Sequence, residues 1–234
     1  MDLKGKIILV VGGATGIGRA TAELCRQRGA EVLVADISPA ENWGGIFYKV
    51  DVTNDSSVSG MFTEIDQHFG RLDALVQTAG ILKGAFTPLS ELDVTTFTQV
   101  LGVNVTGIFL CAKHAEPLMK KNGSGVVILL SSGAATGGSS SLAYGASKGG
   151  VNSLAITLTN RLAPHNIRVN VVSPGNIDTP MKRSVIEADA KRQGAPMEKL
   201  VSESNLGMPE GVAKLVAFLV SDDADYVRGL INTR

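Results

Sequence analysis

The first 36 residues carry a strand, a glycine-rich turn, a helix and a second strand ending on an acid, and few folds accommodate that series. Ile7-Ile8-Leu9-Val10-Val11 is an unbroken apolar run, the pattern of a strand covered on both faces in a parallel sheet. Gly12-Gly13-Ala14-Thr15-Gly16-Ile17-Gly18 follows at once. The spacing then predicts a helix over 19–28, with Ala20, Leu24 and Cys25 inward and Gly29 as its stop. Glu31-Val32-Leu33-Val34-Ala35-Asp36 reads as the second strand.

Each part suits a dinucleotide. Glycines let the backbone come close to a pyrophosphate, and a helix amino terminus offers free N–H groups at the positive end of a dipole. An acid closing the second strand can hydrogen-bond both hydroxyls of an adenosine ribose and would repel a 2′-phosphate. Asp36 therefore points to NAD rather than NADP, and Thr15 and Ile37 bring no basic group against it. The glycine spacing is G-x-x-x-G-x-G rather than the commoner G-x-G-x-x-G.

Further units repeat the strand–helix alternation. A third strand is expected over Ile46-Phe47-Tyr48-Lys49-Val50-Asp51-Val52, with Asp51 either beside an adenine ring or a turn residue. A helix over 56–69 and a fourth strand, Leu72 to Gln77, follow; Thr78-Ala79-Gly80 ends that strand with small residues that leave room for a ribose. Asp73 begins it at the opposite end and reads as structural, and Trp43 as packing. Residues 92–121 read as mostly one long helix, apolar around Asn104 and bent near Pro117. A buried amide without partners costs about 1–3 kcal/mol, so Asn104 is either a satisfied core group or holds a water near the active lysine. A fifth strand, Val126 to Leu130, delivers Ser131 and Ser132, and a sixth, Ile167 to Val172, ends in Ser173-Pro174-Gly175-Asn176-Ile177-Asp178-Thr179-Pro180. The polar stretch 182–204, helical and poor in core anchors, reads as a lid or as a solvated face. A last amphipathic helix is expected over 212–220.

Tyr144 opens the helix after the fifth strand, and Lys148 lies one turn on. Residues four apart share a helix face, and an ammonium beside a phenol favours the phenolate, which can then serve as acid or base near neutrality. Such a pair is common in helices and gains meaning here from the cofactor site beside it.

The 234 residues show no linker or low-complexity tract, so one domain over 1–234 is expected. A formal net charge of zero argues against nucleic acid or an anionic membrane surface as partner. No apolar run approaches roughly 20 residues, so no membrane span is expected. The start, Met1 to Lys6, lacks a signal-peptide layout, and Cys25 and Cys111 read as reduced packing residues of a cytoplasmic protein. His68, His114 and His165 show no metal-ligand spacing.

Taken together, Gly12, Gly16 and Gly18, Asp36, Asp51-Val52, Asn104, the serine, Tyr144-x-x-x-Lys148 and Pro174-Gly175 resemble the short-chain dehydrogenase/reductase family, in its single-domain, NAD-preferring branch. The resemblance covers nearly the whole chain. It implies an α/β fold: a doubly wound, Rossmann-like parallel sheet of order 3-2-1-4-5-6 in a three-layer αβα stack, with 181–208 as substrate lid. It implies hydride transfer between a nicotinamide and a secondary alcohol or ketone. Tyr144 would be the general acid/base; Lys148 would lower its pKa and bind the nicotinamide ribose. The serine would bond the substrate oxygen, and Asn104 would hold a relay water. Gly12, Thr15, Gly16, Ile17, Gly18, Asp36, Ile37, Asp51, Val52, Ala79, Gly80, Tyr144, Lys148, Pro174, Gly175, Ile177 and Thr179 would hold NAD, the last two near the carboxamide. No metal is implied, and a homotetramer or homodimer is.

Four departures stand out. Val11 replaces the family's usual Thr, removing a hydroxyl that braces the glycine turn. Gln77-Thr78-Ala79-Gly80 lacks the family's first Asn, which removes contacts bracing the central sheet. Strand register selects Ser132 as the catalytic serine, whereas counting back from Tyr144 at the usual spacing selects Ser131. After Tyr226-Val227-Arg228-Gly229 the chain ends with Leu230 to Arg234, so the seventh strand is expected shortened or absent, and assembly is less certain. Those departures also admit a catalytically weak or inactive NAD(H)-binding sensor or assembly protein. A nucleotide-sugar epimerase shares the Tyr–Lys logic but carries a larger substrate domain than fits here.

Overall fold

The computed structural model describes residues 2–233; Met1 and Arg234, the two ends of the expected domain, lie outside the described residues. Seven parallel strands form one sheet of order β3-β2-β1-β4-β5-β6-β7. They are β1 (Ile7–Val11), β2 (Glu31–Asp36), β3 (Ile46–Lys49), β4 (Ala74–Gln77), β5 (Gly125–Leu130), β6 (Ile167–Ser173) and β7 (Gly229–Asn232). The helices are α1 (Gly16–Gln27), α2 (Asp55–Phe69), α3 (Val94–Leu101), α4 (Gly107–Asn122), α5 (Leu142–Leu162), α6 (Pro180–Gln193), α7 (Met197–Glu203) and α8 (Pro209–Leu219).

Side chains alternate across a strand, and β1 splits the core accordingly. Ile7, Leu9 and Val11 point into a cluster with Val58, Ile65, Cys111 and Val151 from α2, α4 and α5. Ile8 and Val10 point into a second cluster with Ala22, Cys25, Val212 and Val216 from α1 and α8. Every residue of β1, β4, β5 and β6 is buried, which explains the continuous apolar runs of β1 and β5; β4 and β6 bury the polar Gln77, Arg168, Asn170 and Ser173 as well.

The seventh strand is present as four residues, so of the two expected outcomes, shortened or absent, the second does not hold. Its four residues pair with Asn170–Ser173 of β6, and Thr233 N–H extends the ladder to the Ser173 carbonyl at 3.1 Å. A buried β6 would otherwise leave a row of polar backbone groups unpaired. The third strand stops at Lys49, short of Asp51, although Val50 N–H still reaches the Asp36 carbonyl at 2.9 Å.

The helix expected over 92–121 is continuous but not regular. Between α3 and α4 lies a π-turn, Gly102–Thr106, which carries the fully buried Asn104. By length and composition the whole stretch Val94–Asn122 could cross a bilayer, although no uninterrupted apolar run of that length occurs in it. Here its inner side chains, among them Ile108, Cys111, Ala115 and Met119, are core residues of the sheet's helical layer.

The stretch expected to be a lid or a solvated face folds as two helices, α6 and α7, and has anchors of its own. Ile186, Ala190 and Leu200 form a separate small apolar cluster, which corrects the expectation of a stretch poor in core contacts. Its two ends are clasped together: Asp178 N–H donates to the Gly207 carbonyl and Gly207 N–H to the Asn176 carbonyl, both at 2.8 Å.

Candidate active site

The carboxyl ends of the strands open into a cavity of about 680 Å³, within the range of small-molecule and cofactor sites. It lies where the strand order reverses about β1 and β4, the position at which open α/β sheets bind ligands. Every residue assigned above to NAD lines this cavity, as does Ser132. Asn104 does not line it; it lies fully buried beneath the wall.

The glycine turn is built by close approach. Gly12 has φ 82°, and a Cβ on it would stand 2.4 Å from Ala79 N. A Cβ on Gly18 would stand 2.1 Å from the Gly12 carbonyl oxygen. The turn therefore lies flat on Thr78-Ala79, and α1 lies flat on the turn. The hydroxyl missing at Val11 has a substitute: Thr78 Oγ1 donates to the carbonyls of Val11, at 2.7 Å, and Gly12, at 3.0 Å. α1 begins at Gly16, inside the glycine motif and three residues before the expected start, so the motif is itself the helix terminus. Thr15 is its N-cap, yet its side chain makes no capping bond. The first-turn N–H groups are thus left to a ligand in the cavity, which is the arrangement a pyrophosphate needs.

At the far end stand two acids. Asp36 Oδ2 accepts from Ala14 N–H and Oδ1 from Ser38 N–H, both at 3.1 Å. Asp51 Oδ1 accepts from Thr53 N–H at 2.9 Å and Thr53 Oγ1 at 2.7 Å, so it serves as a turn residue while also facing the cavity. Among the described residues the only basic side chains lining the cavity are Lys148 and Lys182. Arg19, one turn into α1, is held by the Glu41 and Asn42 carbonyls and by Glu23, and stacks on Trp43 with Arg26.

The other end is formed by β5 and α5. Ser141 caps α5: its Oγ accepts from Tyr144 N–H at 3.1 Å and donates to the Lys83 carbonyl at 2.6 Å. Lys148 Nζ sits 5.4 Å from the Tyr144 ring centroid and donates to the Leu130 carbonyl at 2.7 Å. The two serines separate cleanly. Ser131 is buried and its Oγ donates to the Lys148 carbonyl at 3.1 Å. The Ser132 hydroxyl stands near enough to Tyr144 to oppose the rise of its pKa, and its Oγ accepts from Ala134 N–H at 3.2 Å.

Asn104 ties three parts together. Its Oδ1 accepts from Ile81 N–H at 2.8 Å, and its Nδ2 donates to the Ile81 carbonyl at 3.0 Å and to Ser147 Oγ at 2.9 Å. Ser147 Oγ in turn donates to the Tyr144 carbonyl at 2.7 Å. The buried amide is a clamp between the π-turn, the loop after β4 and the first turn of α5, which accounts for a polar residue in an apolar helix. Gln77, suspected of loosening the sheet, is buried in β4 and its Nε2 reaches the Gly107 carbonyl of α4 at 3.3 Å.

The electrostatics depart from expectation. Burial raises the Tyr144 pKa above 10, opposed by the Ser132 hydroxyl, and burial pulls Lys148 down from 10.5 to about 8. In the protein alone, loss of water around the phenolate outweighs the help given by its neighbours, so Tyr144 is raised rather than lowered. Ser141, Ser147 and Lys182 were not singled out in the sequence. Ser141 had a signal, standing as a cap residue three places before Tyr144; Ser147 and Lys182 had none.

The comparisons agree with this geometry. A family model described as enoyl-(acyl carrier protein) reductase matches residues 12–232. The cis-4-hydroxycyclohexanecarboxylate dehydrogenase of Sinomonas cyclohexanicum is 36% identical, over 97% of this chain and 93% of that protein. A 3-oxoacyl-(acyl-carrier-protein) reductase of Thermotoga maritima is 35% identical, over 99% and 96%. The ligand-free aldohexose dehydrogenase of Thermoplasma acidophilum superposes with a TM-score of 0.88 at 29% identity, over 98% and 93%. A cavity that joins a glycine-turn helix terminus to a Ser–Tyr–Lys cluster, on a chain with these relatives, places the protein in the short-chain dehydrogenase/reductase family of oxidoreductases.

Proposed function

We propose that the chain is an NAD(H)-dependent oxidoreductase that interconverts a secondary alcohol and its ketone. The observation that carries this is the convergence of Ser132, Tyr144 and Lys148 on one end of a cavity whose other end presents Asp36. Bound in that cavity, the nicotinamide dinucleotide would supply or accept the hydride. The chain's own residues do the rest. Tyr144 gives its hydroxyl proton to the substrate oxygen in reduction and takes it back in oxidation. Ser132, which lies beside Tyr144, orients the same oxygen. Lys148, one helical turn from Tyr144, steadies the phenolate when it forms. The Asn104–Ser147 clamp holds the Tyr144 turn in place.

The preference for NAD rests on Asp36, whose carboxylate would repel a 2′-phosphate, and on Arg19 being committed to Glu23, Glu41, Asn42 and Trp43. Tyr144→Phe removes the proton carrier and keeps the ring packing. The variant should bind NADH as wild type does while losing most turnover across a panel of alcohols and ketones that includes hydroxycyclohexanecarboxylates. Unchanged turnover would sink the mechanism. Two of the departures that admit a non-catalytic sensor weigh less, since β7 forms and Gln77 Nε2 reaches the Gly107 carbonyl, although Gln77 Oε1 is buried without a partner.

Self-association into a dimer or tetramer is part of the proposal. Val94, Phe109 and Ile156, on α3, α4 and α5, are exposed apolar residues on one helical layer. Light scattering in solution reads the assembly directly. A cytoplasmic setting is supported by Cys25 and Cys111, which are free, buried thiols pushed up to about 12.

A further inference from the structure

The lid helix α6 turns one face to the site, with Lys182 and Val185 lining the main cavity. The same two residues, with Ile186, Asp189 and Gln193 further along that face, line a second cavity of about 360 Å³ beneath the lid. Lys182 thus stands in the wall common to both. Its place is set by the helix cap: Thr179 Oγ1 accepts from Lys182 N–H at 3.2 Å.

The other cations of the lid are spoken for. Arg183 pairs with Asp178 at 2.6 Å, Lys191 with Glu187 at 2.7 Å and Arg192 with Asp189 at 2.7 Å. Lys199 has Glu203 at 4.0 Å, and Arg192 also lies over the Phe86 ring. Among the described residues no carboxylate comes within 4 Å of the Lys182 ammonium. Burial lowers its pKa, with Asp189 opposing at longer range. A half-buried cation held without a counter-ion is costly unless something else brings the charge. Asp36 and Asp51 stand at the adenosine end of the cavity, and the glycine turn already offers the N–H groups of the α1 terminus to a pyrophosphate. Lys148, the other cation of the lining, is taken by the Leu130 carbonyl. The lining of the same cavity also carries the apolar side chains of Ile81, Leu82, Met181 and Val185, together with the polar Ser139, Ser140 and Asn176.

We infer that Lys182 is a specificity-determining residue that receives a carboxylate: the substrate is a hydroxy acid or keto acid whose apolar body lies on Ile81, Leu82 and Val185. The inference rests on the proposed oxidoreductase reading and names the substrate class of that site. An ammonium–carboxylate hydrogen bond is charge-assisted and stronger than a neutral one.

The test is a binding measurement that needs no turnover. Cyclohexanecarboxylate and cyclohexanecarboxamide, neither of which has a carbinol to oxidise, are titrated calorimetrically into wild type, Lys182→Met and Lys182→Arg with excess NADH. Wild type should bind the acid about tenfold tighter than the amide or better. Lys182→Met should abolish that gap while leaving the amide unchanged, and Lys182→Arg should keep it. Equal affinity of wild type for acid and amide, no binding of either, or equal losses in Lys182→Met would overturn the assignment. Ketone-dependent NADH oxidation is scored separately. Its absence with the acid preference intact refutes the oxidoreductase reading alone; its presence without an acid preference refutes the role of Lys182 alone.

Discussion

Replacing Lys148 should make the folded protein less sensitive to pH, and the size of the change follows from burial. In the folded chain Lys148 titrates near 8, against 10.5 for a free lysine. That interval corresponds to about 3 kcal/mol between the two protonation states. Below pH 8 both folded and unfolded chains carry the proton, and the fold bears the full cost of a buried ammonium. Between about 8 and 10.5 the folded chain has released the proton and the unfolded chain has not, so unfolding takes up a proton and stability rises with pH. Lys148→Met removes this dependence. It also leaves the Leu130 carbonyl without its donor, a loss of about 1–3 kcal/mol that does not vary with pH. Urea unfolding of wild type and Lys148→Met from pH 7 to 10 checks the reasoning. Wild type should gain up to about 3 kcal/mol on the variant across that range, or about 1 M in midpoint at an m-value of about 3 kcal/mol/M. Midpoints that move in parallel would refute the claim that this lysine is folded against its charge. On the proposed mechanism the same variant should also lose catalysis at every pH, the pattern of a group whose burial costs stability.

Asp36→Ala should weaken NAD binding by about tenfold and leave NADP binding unchanged or improved, as read by NADH and NADPH fluorescence titration; equal losses would refute the ribose assignment. Ser132→Ala should cost about 10²-fold or more in kcat if the proposed role holds, because its hydroxyl lies beside Tyr144 and lines the cavity. Ser131→Ala should instead act through stability, shifting the urea midpoint by about 1 kcal/mol with kcat near wild type, because its hydroxyl is spent on the Lys148 carbonyl.

The parts legible in the sequence are those where local pattern and tertiary role coincide. β1 and β5 are buried on both faces, so their apolar runs announce them. The glycine turn announces itself because Gly12 and Gly18 touch backbone that admits no Cβ. Reading strand register rather than counting residues selected Ser132, and the structure puts that hydroxyl, not the Ser131 one, beside Tyr144. The rest depends on distant partners. The four residues of β7 are strand only because β6 offers an edge, and three of them remain exposed. The direction of the Tyr144 shift depends on how much water the fold removes, which no spacing encodes. Lys182 looks like any surface lysine until α6 is set against the cavity.

The π-turn has a consequence for helical phase. Five turns of ideal α-helix take about 18 residues. The inward positions Val100, Asn104, Ile108, Cys111, Ala115 and Met119 take one more, and Gly102–Thr106 absorbs it. A chain one residue shorter within that turn would keep both flanking faces seated on the sheet and lose only the angle at which Asn104 meets Ile81. The same deletion made later, within α4, would swing every inward side chain beyond it by about 100°. The wide turn is therefore the one place along this helix where the count of residues can change without turning the core to the outside.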